Sequence, residues 1–165
     1  MKNNSTKEQD HDMIVLLHHV RDITFRAREK ELNQYGITPT QSAILDTIKL
    51  FEANKEKVTI DKLARHLFRA HHTISTILTR MENDGLIRKV TSGGKRRRID
   101  IIFTEKGQEA YLHSLKRESY LKVASCLSVE ERRQLVALLE KLLDKTIRYI
   151  GDSENDMPLK KEIIY

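Results

Sequence analysis

The chain has few of the residues that punctuate or cross-link a fold. Two prolines and six glycines are spread over 165 residues, so little in the sequence interrupts long helices. Its one cysteine, Cys126, excludes an intrachain disulfide framework. Long apolar runs are missing as well. The best candidate, Met13 to Leu17, is far shorter than the roughly 20 residues that span a bilayer. Met1 to Asp12 is polar and mixed in charge, without the basic-then-apolar order of a secretory leader. The expectation is a soluble, cytoplasmic, helix-rich protein with no membrane partner. Catalytic signatures are equally scarce. There is no Ser-His-Asp logic to place, no glycine-rich phosphate loop and no metal-binding cluster, so no enzymatic activity, metal or cofactor is expected. His18-His19 and His71-His72 are adjacent pairs, which point in different directions on a helix and chelate one ion poorly. Cys126, among Ala124 and Leu127, reads as a buried or bystander thiol rather than a switch.

What is abundant is charge, at 33% of residues, and its placement is informative. Ile60 to Arg98 holds ten Lys and Arg against three Asp and Glu, seven positive charges in excess. The whole chain has only six in excess, so the remainder is negative by one. All the surplus positive charge lies in one central stretch, as a nucleic-acid surface requires.

Apolar spacing supplies the elements around it. Residues 1–10 carry too little apolar content to pack and are expected to fray. Met13, Leu16, Leu17, Val20, Ile23 and Ala27 predict a helix from Asp12 to about Asn33, ended by Tyr35-Gly36. Thr38-Pro39-Thr40-Gln41 is a helix start with a capping box, leading to about residue 53. Val58-Thr59-Ile60 is expected as a short extended piece. A helix follows with Leu63, Ala64 and Leu67 inward and Lys62, Arg65 and His66 outward. A second runs from His71 or His72 to about Asn83, burying Ile74, Ile77, Leu78 and Met81, and Gly85 stops it. Residues 86–90 and 99–103 read as strands joined by the cationic tip Thr91 to Arg97. Thr104 caps a helix expected to reach about residue 125. Ser128 and Glu131 box the start of a last one, with Leu135, Leu138, Leu139, Leu142, Leu143, Ile147 and Ile150 as its stripe.

Two short helices, a tight turn and a basic hairpin make a winged helix-turn-helix, mainly α with a small antiparallel β-wing. The second helix suits the major groove, and His71, His72, Thr73, Ser75, Thr76 and Thr79 form its polar face. Lys95, Arg96, Arg97 and Arg98 on the hairpin, with Arg69 in the turn, offer cations to phosphates or the minor groove. Arg80 either reaches a phosphate or braces the helix against the wing. Polar faces on surface helices are often merely solvated, but clustered cations carry a standing repulsion that an anionic partner relieves. The alternative is a winged-helix protein-interaction module with an acidic protein partner. An RNA-binding role lacks surface aromatics placed to stack bases.

Ile37-Thr38-Pro39-Thr40-Gln41, Leu63-Ala64-Arg65-His66-Leu67, Thr73-Ile74-Ser75, Arg80 through Ile87, and Phe103-Thr104-Glu105-Lys106-Gly107 resemble the successive motifs of MarR-type regulators, over about residues 12–150. The resemblance implies a cytoplasmic homodimer that binds a pseudo-palindromic site on double-stranded DNA, usually as a repressor that a small effector releases. It divides the chain into a helical dimerisation region (12–35 and 105–150), a DNA-binding winged helix (38–104) and a tail (151–165). The apolar end of that tail suggests packing on the partner subunit, with a free tail as the alternative. For the effector crevice, His18, His19 and Arg26 are weak candidates beside an ordinary apolar hinge. The chain departs from the family where an Asp usually precedes the wing arginine by two residues; Lys95 and Arg97 stand there. Phe68 and Ala70 occupy turn positions where Gly and a capping residue are usual, and His71 and His72 stand where Arg and Ser are common.

Overall fold

The computed structural model describes the backbone of residues 2–92 and 98–150 and the side chains of 7–90 and 101–150. Among these residues the order is α1 (Lys2–Asn33), α2 (Pro39–Ala53), α3 (Ile60–His66), α4 (His71–Asn83), β1 (Ile87–Ser92), β2 (Arg98–Phe103), α5 (Glu105–Ser114), α6 (Glu118–Ala124) and α7 (Val129–Ile150). The strands form one antiparallel pair, with Ile87 opposite Phe103 and Ser92 opposite Arg98. The protein is mainly helical with a small β-wing, as the sequence implies. The tip residues Lys95, Arg96 and Arg97, and the tail 151–165, lie outside the described residues, as does the side chain of Arg98.

Side chains close the helix starts as their spacing predicts. Thr38 and Gln41 complete a reciprocal capping box, with the Thr38 amide donating to Gln41 Oε1 at 2.8 Å and the Gln41 amide to Thr38 Oγ1 at 3.2 Å. Ser128 and Glu131 repeat it at α7. Gly36 and Gly85 take left-handed conformations after α1 and α4, at φ +68° and +71°.

Four expectations need correction. The first helix begins at Lys2, because residues 2–11 contain neither Pro nor Gly and a helix nucleated by the apolar stretch extends through them. Val58-Thr59-Ile60 is not a strand. Thr59 Oγ1 accepts from the Lys62 amide as the α3 cap, and Ile60 is already helical. His66 does not face outward; its ring meets Phe51 edge-on at 5.5 Å between centroids. The segment 105–125 is two helices, broken where Arg117 turns left-handed at φ +49°.

That break is imposed from α1. Arg28, 2% exposed, donates to the Ser114 carbonyl at the end of α5 (2.5 Å) and pairs with Glu31 at 2.8 Å. Glu31 in turn accepts from the Glu118 and Ser119 amides, both at 3.0 Å, and from the Ser119 hydroxyl. A carboxylate more than eighty residues upstream thus caps α6.

The core lies within the winged segment. Leu32 and Ile37 close one end; Ile44, Leu45, Ile48 and Phe51 of α2, Leu63 of α3, Ile74, Leu78 and Met81 of α4, and Ile87 and Ile101 of the sheet fill it. No residue of α6 or α7 is buried. Leu16, Val20 and Ile23 of α1 and Leu138 of α7 are each 60–62% exposed, so an apolar surface built from separate helices has no cover among the described residues.

Burial of the Glu31 side chain raises its pKa. The Ser119 hydroxyl and amide, Arg28 and the Glu118 amide outweigh that and hold it at about 2, against 4.5. The folded value is the lower one, so the stabilisation is complete above about pH 4.5 and is lost as pH falls toward 2. Glu31→Gln should therefore cost on the order of 3 kcal/mol at pH 7 in urea denaturation. The gap to the parent protein should close as pH falls below 4.5. A gap that stays constant from pH 6 to pH 3 would show that the carboxylate charge is not what holds α6.

Candidate nucleic-acid interface

Helices α3 and α4 meet across the turn 67–70, locked by Leu63 and Ala64 on one side and Ile74, Leu78 and Met81 on the other. This anchoring turns the remaining face of α4 to solvent. His71, His72, Thr76, Thr79 and Arg80 are exposed there, with Thr73 and Ser75 half-buried beside them. His71 Nε2 lies 3.6 Å from Asp61 on α3. Thr76 and Thr79 spend their hydroxyl protons on the helix, donating to the His72 and Ser75 carbonyls at 2.9 and 3.1 Å. Both therefore present outward a methyl group and oxygen lone pairs.

Among the described residues, the Glu82 carboxylate fixes the wing to α4. Glu82 accepts from the Lys89 amide at 2.9 Å, satisfying an outward-facing donor of β1, and its other oxygen lies 3.2 Å from Lys89 Nζ. The same ammonium donates to Thr79 Oγ1 at 3.0 Å. The Lys89 amide bond, with the lysine charge added to it, outweighs desolvation and lowers the Glu82 pKa. At the wing's base the Thr104 hydroxyl donates to the Gly85 carbonyl at 2.6 Å and accepts from the Gly107 amide at 3.0 Å. Gly107 has no substitute here, since a Cβ would sit 1.8 Å from the Leu86 carbonyl oxygen. Lys106 Nζ bonds the Asp84 carbonyl at 2.7 Å, and Gln41 reaches the Asp84 carboxylate at 3.3 Å, tying α2, α4 and α5 together.

Two clefts lie away from the α4 face, on either side of an Asp46–Arg117 ion pair of 3.8 Å. One, of about 440 Å³, opens between α2, α3 and α5. The other, of about 300 Å³, lies against Arg28, Ser42 and Tyr120. Burial raises the Asp46 pKa, with Arg117 and Arg28 opposing.

A model of the MarR family matches residues 35–98, the segment from the end of α1 to the start of β2. The Escherichia coli homoprotocatechuate degradative operon repressor is 32% identical over 73 residues, 43% of this chain and 49% of that one. An organohalide-sensing RdhR transcriptional regulator, solved with 2,4-dichlorophenol bound, superposes with a TM-score of 0.79 at 25% identity, over 92% of this chain and 88% of its own. The winged-helix segment is thus similar to MarR-family regulators. S. aureus MepR, solved as a DNA complex, aligns at TM-score 0.67 and 26% identity, over 79% of this chain and 94% of its own. This chain spans about half the length of the curated relatives it matches.

Two residues of the turn depart from the usual helix-turn-helix chemistry. Phe68 adopts φ +52°, the left-handed conformation for which glycine is usual, and does so with a 45% exposed aromatic side chain. Ala70 gives α4 no side-chain cap, so the helix opens without one. Arg69 is exposed in the same turn. Arg80 is exposed too, and the brace to the wing is Glu82–Lys89, which sequence reasoning missed. The alternation of Arg88 (exposed) with Lys89 (half-buried) was the available signal. His18, His19 and Arg26 are exposed on α1 and line neither cleft. Cys126 is exposed rather than buried.

Glu82→Ala should cost about 1 kcal/mol and accelerate hydrogen exchange at the Lys89 amide, while Glu82→Gln, which keeps an acceptor, should have a smaller effect. Unaltered exchange at Lys89 in the alanine variant would mean that the strand is held by other contacts.

Proposed function

We propose that this MarR-type chain is a transcription regulator of the repressor kind, which binds a pseudo-palindromic DNA site as a homodimer and is released by a small effector. The observation that carries the reading is the solvent-facing polar side of α4, held against the core by Ile74, Leu78 and Met81 and followed at once by the braced hairpin. A helix presented this way fits the major groove, with the wing alongside the backbone.

The contacts divide by chemistry. His71, His72, Thr73, Ser75 and Thr76 read base edges. Thr76, its proton already committed to the helix, accepts from a base amino group or packs its methyl on thymine. Thr79 is engaged by Lys89 and contributes less. Arg69, Arg80, Lys95, Arg96, Arg97 and Arg98 neutralise phosphates, giving the affinity its salt dependence. A phosphate at the uncapped start of α4 would also meet the positive end of the helix. The apolar faces of α1, α6 and α7, uncovered among the described residues, supply the dimer contact, and repressor and DNA-complex relatives support the regulatory role.

Selection of duplexes from a random pool, followed by anisotropy titration at several salt concentrations, tests the reading. A pseudo-palindrome with two chains per duplex is expected. Arg97→Ala should weaken every sequence alike, by about 1 kcal/mol, and reduce the salt slope by about one. Thr73 and His72 substitutions should instead change preference at particular base pairs. Uniform losses in both classes would refute this division, and no enriched sequence would turn the wing toward an acidic protein partner. In sedimentation, Ile23→Glu or Leu138→Glu should raise the dimer dissociation constant by about tenfold or more without loss of helical signal. A parent chain that stays monomeric at micromolar concentration would remove the homodimer.

A further inference from the structure

Two cations stand side by side on β1 and meet different surroundings. Successive strand residues point to opposite faces, so Arg88 is exposed while Lys89 turns toward α4, with 20% of its side chain exposed. The Lys89 ammonium lies 3.2 Å from one oxygen of Glu82 and donates to Thr79 Oγ1 at 3.0 Å. Thr79 is exposed on the polar side of α4, so the held charge sits at the edge of that side, next to the wing. On the regulator reading this edge faces the DNA backbone beside the major groove. A lysine there, on its flexible four-carbon stem, is within reach of a phosphate unless something restrains it.

The restraint has two separable parts. Glu82 Oε1 accepts from the Lys89 amide and so fixes β1, whereas Oε2 faces the ammonium. Only the second part needs a charge. A glutamine at position 82 keeps an acceptor for the backbone amide, which the strand holds in place. It turns an NH2 group toward the ammonium, which is free to swing away. Two donors face to face release the lysine without releasing the strand. An ammonium already neutralised by a carboxylate displaces no counterion from DNA and adds nothing to salt-dependent affinity.

We infer that Glu82 is a positioning residue that holds Lys89 off the DNA phosphates, keeping the sequence-independent affinity of the chain below what its cations could supply. The clamp stands on the geometry of Glu82, Lys89 and Thr79; its consequence for DNA rests on the regulator reading above. Phosphate contacts carry no sequence information, so the clamp lowers affinity for every duplex alike. It limits how firmly the chain is held on unselected DNA and leaves discrimination to the polar side of α4.

The test begins with the full chain without DNA, its lysine ammonium groups followed by nitrogen NMR. In the parent chain the Lys89 ammonium should be protected from solvent exchange. Glu82→Gln should remove that protection while the Lys89 amide keeps most of its own, and Thr79→Val, which deletes the other acceptor, should remove part of it. A Lys89 ammonium that exchanges equally fast in parent and Glu82→Gln chains overturns the clamp. The second arm is a salt titration with a selected and a scrambled duplex. Glu82→Gln should bind both about eightfold more tightly at about 0.1 M salt and steepen the salt slope by about 0.9, the value of one added phosphate contact. Adding Lys89→Gln to that variant should return both quantities to those of the parent, since a neutral pair then replaces a neutralised one. Glu52→Gln on α2 is the control. It makes the same change in net charge and frees Lys49, its partner at 2.9 Å, away from α4, and should have the smaller effect. A gain confined to the selected duplex, a gain that survives loss of Lys89, or an equal gain from Glu52→Gln would each overturn the withholding of Lys89 from DNA. If neither parent nor variant binds any duplex, the regulator reading fails and takes the DNA half with it, while the first arm alone decides the clamp.

Discussion

A buried ion pair near the end of α1 holds the two halves of the molecule in relation to each other. Arg28 has almost no contact with water, and a guanidinium so placed is tolerable only if its charge and donors are matched. Glu31 matches the charge and the Ser114 carbonyl takes a further donor. The remaining acceptor capacity of Glu31 then fixes where α6 begins. Removing either partner would strand the other in a low-dielectric setting. The angle between the long first helix and the winged unit therefore depends on electrostatics as well as on packing.

Beyond that joint, the winged unit relies on short polar staples laid over an apolar core. Glu82 satisfies an edge amide of β1, Thr104 gathers the carbonyl of Gly85 and the amide of Gly107, and Lys106 holds the carbonyl of Asp84. Each acts at the junction of two elements, where a hairpin of only two strands would otherwise be marginal. The solvent-facing polar side of α4 takes little part in these staples, Thr79 excepted. The structure thus separates the residues that hold α4 from those that α4 displays.

The sequence reveals elements whose cause is local. The α2 capping box, the start of α7, the limits of α4 and the antiparallel wing all follow from spacing over a few residues, and the structure places them accordingly. Elements set by distant partners were hidden. Nothing near Arg117 announces that a helix breaks there, because the carboxylate that makes the break favourable lies on α1. His66 has the spacing of an outward residue but finds an aromatic edge on α2. The exposure of His71, His72, Thr76 and Thr79 on α4 was legible, although Thr73 and Ser75 of the same face are half-buried. The brace to the wing was not legible, since Glu82 and Lys89 read separately as a helix acid and a strand base. The clefts arise from three or four helices meeting, which no one-dimensional pattern encodes.

The left-handed Phe68 has a mechanical meaning. A bulky residue in that conformation costs on the order of 1–2 kcal/mol relative to its preferred wells, so the linker between α3 and α4 opposes the geometry in which it is held. The angle between these helices is therefore set by the apolar contacts on either side, against the preference of the linker itself.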